Sequence, residues 1–234
     1  MTEAGRVAAL WRYPVKSMAA ERLDEIEVSW AGLAGDRRWA FVRGGIERSG
    51  FPWMTIRERS NMGHYRPSFV DPSRPDTSRT VVRTPTGDEL EVVDPALAAE
   101  LGEGVRVIKQ DRGVFDAMPL SLVSTQSVAA LGALVGSELD PLRFRSNLLI
   151  DAAGDEPFQE EAWVGSMLRI GGVRMRVDQQ DERCVIINVD PATTERDPAV
   201  LRTLARERQT CIGVYGSTVA PGVVAVGDAV VVEA

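Results

Sequence analysis

One histidine, His64, and two cysteines, Cys184 and Cys211, are all the chain has of the two residue types that hold most soft metals. That scarcity excludes a zinc cluster of cysteines and histidines and any chemistry that needs several imidazoles. It also excludes a disulfide framework; a single Cys184–Cys211 bridge is the most that two thiols allow. A basic excess is missing: 27 lysines and arginines face 34 acidic residues, for a net charge of −7. Wholesale nucleic-acid binding needs the opposite balance, although a local basic pocket for a small phosphate stays open. No apolar run reaches the length of a membrane span. The N-terminal Met-Thr-Glu-Ala-Gly-Arg has neither the basic nor the apolar region of a signal peptide. The expectation is a cytoplasmic protein with no membrane partner. Absent too are a Walker loop, a dinucleotide fingerprint at a strand–helix turn and a Gly-x-Ser-x-Gly elbow.

What is present is a chain of short strands. At 234 residues it can bury a full core. Val7 to Tyr13 reads as a strand stopped by Pro14, and Leu23 to Val28 alternates with the period of a half-buried strand. Asp36 to Val42 follows as another. From Arg43 to Arg79 periodicity is lost, as in a functional lid or a disordered stretch. Thr80–Arg83 and Glu89–Val93 flank a turn in which Gly87 supplies a positive φ. Asp94-Pro95 caps a helix to Leu101, Ser124 opens one to Leu134, and Asp197-Pro198 opens one to Arg208. Met167–Ile170 and Val173–Val177 form a hairpin across Gly171-Gly172, and the Cys184 segment reads as a strand. Ile212–Val219 and Val223–Val232 close the chain. Tight connections without regular β–α alternation exclude a doubly wound sheet. The reading is mainly β, a barrel or sandwich with a few helices, in two parts: residues 1–100 and 101–234.

Four pieces place cations or hydroxyls at strand ends: Lys16-Ser17, Arg37-Arg38, Arg143 with Arg145, and Arg183-Cys184. Guanidinium and ammonium groups bind phosphate by charge-assisted hydrogen bonds. A cation such as Arg183 beside the Cys184 thiol favours the thiolate, a soft metal ligand. Taken singly, each arginine is equally a solvated surface residue and Cys184 a half-buried one. The acids Asp155-Glu156 and Glu160-Glu161 read as a solvated loop before Trp163.

In order, Tyr13-Pro-Val-Lys-Ser17, Gly35-Asp-Arg-Arg-Trp39, Met54-Thr-Ile-Arg57, Arg143-Phe-Arg-Ser-Asn147, Arg183-Cys184, Val189-Asp-Pro191 and Val226-Gly-Asp228 resemble a family. The chain looks like a MOSC-domain protein with an N-terminal β-barrel extension, similar to the mitochondrial amidoxime-reducing component and its bacterial relatives. The resemblance implies a MOSC-like β-barrel behind an N-terminal β-rich domain. It also implies a molybdenum cofactor (molybdopterin) with Cys184 as the protein ligand to Mo. Matched by position, Lys16, Ser17, Arg37 and Arg145 would hold its phosphate and pterin, with Asn147 and Arg183 nearby. Thr55, Arg57 and Ser124 would line the same cleft. The implied activity is an oxidoreductase that reduces small N-hydroxylated substrates, with electrons from a separate ferredoxin- or cytochrome b5-like donor and its reductase. Pyridoxal phosphate binding is a further family-level association. The chain departs from the family pattern at Ser146, where proline is usual, at Ile187 and Asn188, where threonines are usual, and at Asp181-Glu182. An acid there disfavours an anionic cofactor unless Arg183 pairs with it. Two other readings therefore stand beside the reductase: a sulfur carrier holding a persulfide on Cys184, and a binding module without cofactor.

Overall fold

Glu25–Ser29, Arg66–Phe69 and the first half of Val173–Glu182 alternate buried and exposed side chains with a period of two, whereas Leu120–Ser124 is buried throughout. The computed structural model describes residues 2–46 and 49–233. In its first half the strands are β1 (Thr2–Arg12), β2 (Glu21–Leu23), β3 (Glu25–Ser29), β4 (Gly32–Leu33), β5 (Trp39–Val42), β6 (Arg66–Phe69), β7 (Thr80–Arg83) and β8 (Glu89–Glu91). The second half adds β9 (Arg106–Lys109), β10 (Leu120–Ser124), β11 (Leu148–Ala152), β12 (Met167–Ile170), β13 (Val173–Glu182), β14 (Cys211–Ala220), β15 (Gly222–Ala225) and β16 (Ala229–Glu233). Three helices accompany them, α1 (Pro95–Leu101), α2 (Thr125–Val135) and α3 (Pro198–Arg208). Each begins on the expected cap, with the side chains of Asp94, Ser124 and Asp197 accepting from backbone amides.

One sheet runs β11-β10-β14-β13-β12-β16-β1-β2, and β1 also pairs with β11, so seven strands close into a barrel. Closure removes the exposed edges an open sheet would have. β1 can serve both neighbours because its register shifts between Glu3 and Gly5 on the β16 side and between Val7 and Ala9 on the β11 side. Gly5 makes the bend possible: its φ is +147°, and a Cβ there would lie 2.3 Å from the Asp151 carbonyl oxygen. The barrel interior is filled by Val7, Leu10, Leu122, Ile150, Leu168, Met175 and their neighbours. At about 1.5–3 kcal/mol per large apolar side chain, this is the main stabilising term.

The N-terminal strand is thus part of the C-terminal barrel, and β15 leaves the barrel to pair with β3. The closing segment from Val223 to Val232 turns at Gly227-Asp228, as its sequence predicts, and its two strands lie in two different sheets. A second cluster lies where α2 and α3 cover the barrel, and a third, around Phe41, Met62, Leu97 and Val189, fills the N-terminal part. The stretch read as irregular, Arg43 to Arg79, contains the 3-10 turn Ser60–His64 and β6, which pairs with β7; residues 47 and 48 within it lie outside the described residues. Pro67 sits in β6, so the alternation was masked by a residue rare in strands. Cys184 does not begin a strand. It precedes a 3-10 turn, Val185–Asn188. Among the described residues no helix is long and apolar enough to cross a membrane.

Candidate functional site

The loop after Cys184 is fastened to the N-terminal part of the chain. Val189 is buried in the N-terminal cluster. His64 Nε2 meets the Ala192 carbonyl at 2.9 Å, and Arg196 donates to the carbonyls of Ile56 and Arg57 at 3.0 and 2.9 Å. Arg143 holds the same loop from the barrel side, donating to the carbonyls of Ile187 and Asn188 and pairing with Asp190 at 2.6 Å. These ties bring Arg57 to Cys184: the guanidinium Nη2 donates to Sγ at 3.2 Å. Thr55 shapes the turn that presents Arg57, accepting from the Arg57 amide while its hydroxyl donates to Glu58.

The cation at the sulfur is therefore Arg57, not Arg183. Cys184 is in extended backbone (φ −114°, ψ −175°), where neighbouring side chains point to opposite sides. Arg183 points inward. Its three nitrogens donate to the carbonyls of Ile212 and Phe144 at 2.9 and 2.6 Å and to Ser146 Oγ at 3.4 Å, and it pairs with Asp181 at 2.8 Å. Gly213 makes room for it: φ is +78°, and a Cβ there would lie 2.9 Å from Arg183 Nη2. Arg183 thus holds the Cys184 loop, with four of its five N–H donors engaged inside the protein.

The opposite wall comes from the loops after β1 and before β5. Asp36, buried, accepts from the Tyr13 amide at 2.8 Å, from Asn147 Nδ2 at 3.2 Å and from the Arg37 guanidinium. Arg37 also donates to the Arg145 carbonyl at 2.8 Å. The two guanidiniums lie over the Tyr13 ring at 4.7 and 4.3 Å from its centroid, close enough for cation–π attraction. Burial pushes the Tyr13 phenol up to about 12, so it stays neutral. Lys16 is buried and donates to Asp116 at 2.6 Å and to the Val114 carbonyl at 3.1 Å. Burial lowers the Lys16 pKa, against the pull of Asp116. Burial works to raise Asp116, but Lys16, Arg37 and Arg57 outweigh it and hold the carboxyl below its ordinary value.

These walls enclose a cleft of about 130 Å³. Lys16, Ser17, Arg37, Thr55, Arg57, Arg145, Arg183 and Cys184 all line it, drawn from both halves of the chain. Six cations face three carboxylates, Asp116, Asp181 and Glu182. Ser17, Arg37 and Arg145 have φ of +65°, +50° and +53°. Such conformations cost non-glycine residues on the order of 1 kcal/mol or more each and gather at functional sites. Arg145 Nη1 donates to the Met18 carbonyl at 2.9 Å, while its buried Nη2 has no partner among the described residues. Burial, with the neighbouring Arg37 charge, brings the Arg145 pKa down to about 10.

Two expected cleft residues lie elsewhere. Ser124 is wholly buried in the barrel wall: it caps α2, and its hydroxyl donates to Glu160 at 2.8 Å. Its place at a strand–helix junction, rather than on a loop, keeps it from the cleft. Asn147 is one layer behind, bracing Asp36 and the Trp11 carbonyl. Glu160, expected in a solvated loop, is buried, and Ser124 and Ser127 satisfy it. Replacing Ser124 by alanine is expected to cost about 2 kcal/mol, since a buried carboxylate loses a donor and a helix its cap. Urea melts read this; ligand binding at the cleft should be unchanged. Both cysteines are free thiols, so the Cys184–Cys211 bridge does not form. Asp116 and Tyr215, which line the cleft, carried no motif in the sequence.

The departures at Asp181 and Glu182 are handled differently. Asp181 is buried against Arg183. Glu182 is exposed at the cleft edge and accepts from Thr210 Oγ1 at 3.3 Å. Asn188 is turned toward α3, accepting from the Leu201 amide at 2.9 Å.

The MOSC N-terminal beta barrel domain pattern matches residues 4–117, and the MOSC domain pattern matches residues 109–231, more than half the chain. A molybdenum cofactor sulfurase of Drosophila mojavensis is 27% identical over 86% of this chain, and one of Drosophila grimshawi is 29% identical over 83%. The matched region is 30% and 29% of those relatives, so the chain spans under a third of their length. Among solved structures, the YuaD protein from Bacillus subtilis superposes with a TM-score of 0.55 at 14% identity, covering 97% of this chain and 94% of that one. At that identity the likeness is one of fold.

Proposed function

The chain belongs to the MOSC-domain family, and on that premise we propose that it binds a molybdenum cofactor and reduces N-hydroxylated compounds. The observation that carries the reading is the meeting of Arg57 and Cys184 at 3.2 Å in a cleft lined by cations. The donor set suits the cofactor: a soft sulfur for the metal, guanidinium and ammonium groups for a phosphate, and a buried Arg145 Nη2 that lacks a partner among the described residues. Cys184 would ligate molybdenum, while Lys16, Ser17, Arg37, Arg57 and Arg145 would hold the phosphate and pterin. When bound, the cofactor supplies a metal that cycles between oxidation states.

The residues do the rest. Arg57 fixes the direction of Sγ and offsets its charge. Lys16 exchanges Asp116 for the incoming anion. Reduction of R–NH–OH breaks the N–O bond with two electrons and two protons, giving R–NH2 and water; the electrons come from a separate ferredoxin- or cytochrome b5-like donor. Metal analysis of protein made in a cofactor-producing host tests the reading. The expected result is molybdenum in proportion to chain, with turnover of a simple N-hydroxy compound under a chemical reductant. Molybdenum at background would remove the proposal.

A second reading is favoured by the naming of the relatives as molybdenum cofactor sulfurases. In it Cys184 carries a persulfide to an acceptor, with Arg57 holding the anionic sulfur. Intact-mass spectrometry separates the two, since a persulfide adds one sulfur that reductant removes and that Cys184→Ser lacks.

A further inference from the structure

Beside the Cys184 cleft lies a groove of about 870 Å³, within the range of small-molecule sites. Arg143, Arg145 and Ile186 line both hollows, so they form a common wall. On the groove's other side β6 and β7 present Arg66 and Arg83, which stand opposite each other in the ladder. Both are exposed, and among the described residues neither has an ion-pair partner. Like charges facing each other across a strand pair repel. Glu89 stands opposite Arg83 on its other side but forms no ion pair with it. The groove's one carboxylate, Asp190, is already taken by Arg143 and by the amides of Ala192 and Thr193. Four guanidiniums therefore face one engaged carboxylate, in a chain whose net charge is −7.

No ion pair within the described residues engages these two guanidiniums, which leaves their donors for an anion from outside. Guanidinium forks accept carboxylate and phosphate oxygens in bidentate fashion. We propose that this groove is an oxyanion subsite: Arg66 and Arg83 take a carboxylate or phosphate group of the small molecule that is processed at Cys184. The second half of that statement rests on the function proposed above; the binding itself does not.

Calorimetric titration of the purified chain with citrate and with inorganic pyrophosphate tests the binding. At least one probe is expected to bind with a Kd below about 1 mM at low salt, and the doubly substituted Arg66→Gln, Arg83→Gln chain to bind it about tenfold more weakly or worse. Citrate alone would identify a carboxylate subsite and pyrophosphate alone a phosphate one. Arg57→Gln should leave the component of binding that depends on Arg66 and Arg83 unchanged, any pyrophosphate held in the Cys184 cleft being lost separately. The double variant removes a repulsion between exposed residues, so its melting temperature should be no lower than the parent's. The proposal is overturned if neither probe binds, if the double variant binds as the parent does, or if only Arg57→Gln abolishes binding. With cofactor-loaded enzyme, the double variant should raise KM about tenfold for an N-hydroxy substrate bearing a carboxylate and leave a neutral one within about twofold, kcat being unchanged. Equal effects on both substrates would overturn the link to Cys184. A chain that binds the probe but holds no molybdenum would sink the reductase and leave the subsite standing.

Discussion

Cys184→Ala, made in a cofactor-producing host, is expected to lose molybdenum by at least about tenfold and N-hydroxy reduction by about a hundredfold or more. Loss of a residue that merely supports a metal ligand already costs about 10–100-fold in affinity or activity, so loss of the ligand costs at least as much. The fold should barely notice. The sulfur is half-buried, makes no capping bond to the 3-10 turn after it, and accepts a hydrogen bond from Arg57. A melting temperature within about 2–4 °C of the parent is therefore expected, equivalent to about 1 kcal/mol for a chain of this size. Parent-like molybdenum content in the variant would end the assignment of Cys184 as ligand.

The second large effect concerns Arg183 and Asp181. Arg183→Met leaves the carbonyls of Ile212 and Phe144 without donors and Asp181 buried without its cation. Breaking a buried pair from one side costs about 3–5 kcal/mol, or roughly 10 °C in melting temperature at this chain length. The loss should depend on pH. Burial raises the Asp181 pKa to about 7, even with Arg183 and Tyr215 lowering it. Unfolded, the group titrates near its ordinary value of about 3.9. Between those values the folded state holds the proton more tightly, so this group's contribution is full below about pH 4 and lost as pH rises through about 7. The parent should thus lose more stability than Asp181→Asn between about pH 5 and pH 8, by up to a few kcal/mol. Thermal melts of both chains across that range decide it; equal slopes would show that Asp181 does not titrate there.

Much of this was readable from the residues, because caps and turns are local. Asp94, Ser124 and Asp197 each start the helix their side chains predict. The hairpin at Gly171-Gly172 and the left-handed Gly87 follow from turn chemistry in the same way. Long-range pairing leaves no such mark. Nothing in Thr2–Arg12 says that it joins β16 to β11, nor in Gly222–Ala225 that it pairs with β3. At the cleft, Lys16, Arg37, Arg145 and Cys184 stood out by charge and softness. That Arg57, 127 positions away, would reach the sulfur while the adjacent Arg183 turned inward depends on the extended backbone at Cys184 and on the ties through Val189 and Arg196. Asp116 could not be singled out, since its role exists only once β9 and the loop after it bring it to Lys16. Ser124 reads from its own residues as the start of a helix, where the structure places it; only the family resemblance put it in the cleft.

X-ray absorption at the molybdenum edge of the cofactor-loaded chain tests the central claim most directly. It should find a sulfur from a protein side chain around the metal in addition to the pair from the pterin dithiolene. A sulfur shell accounted for by the dithiolene alone would contradict the assignment of Cys184, and with it the function built on the cleft.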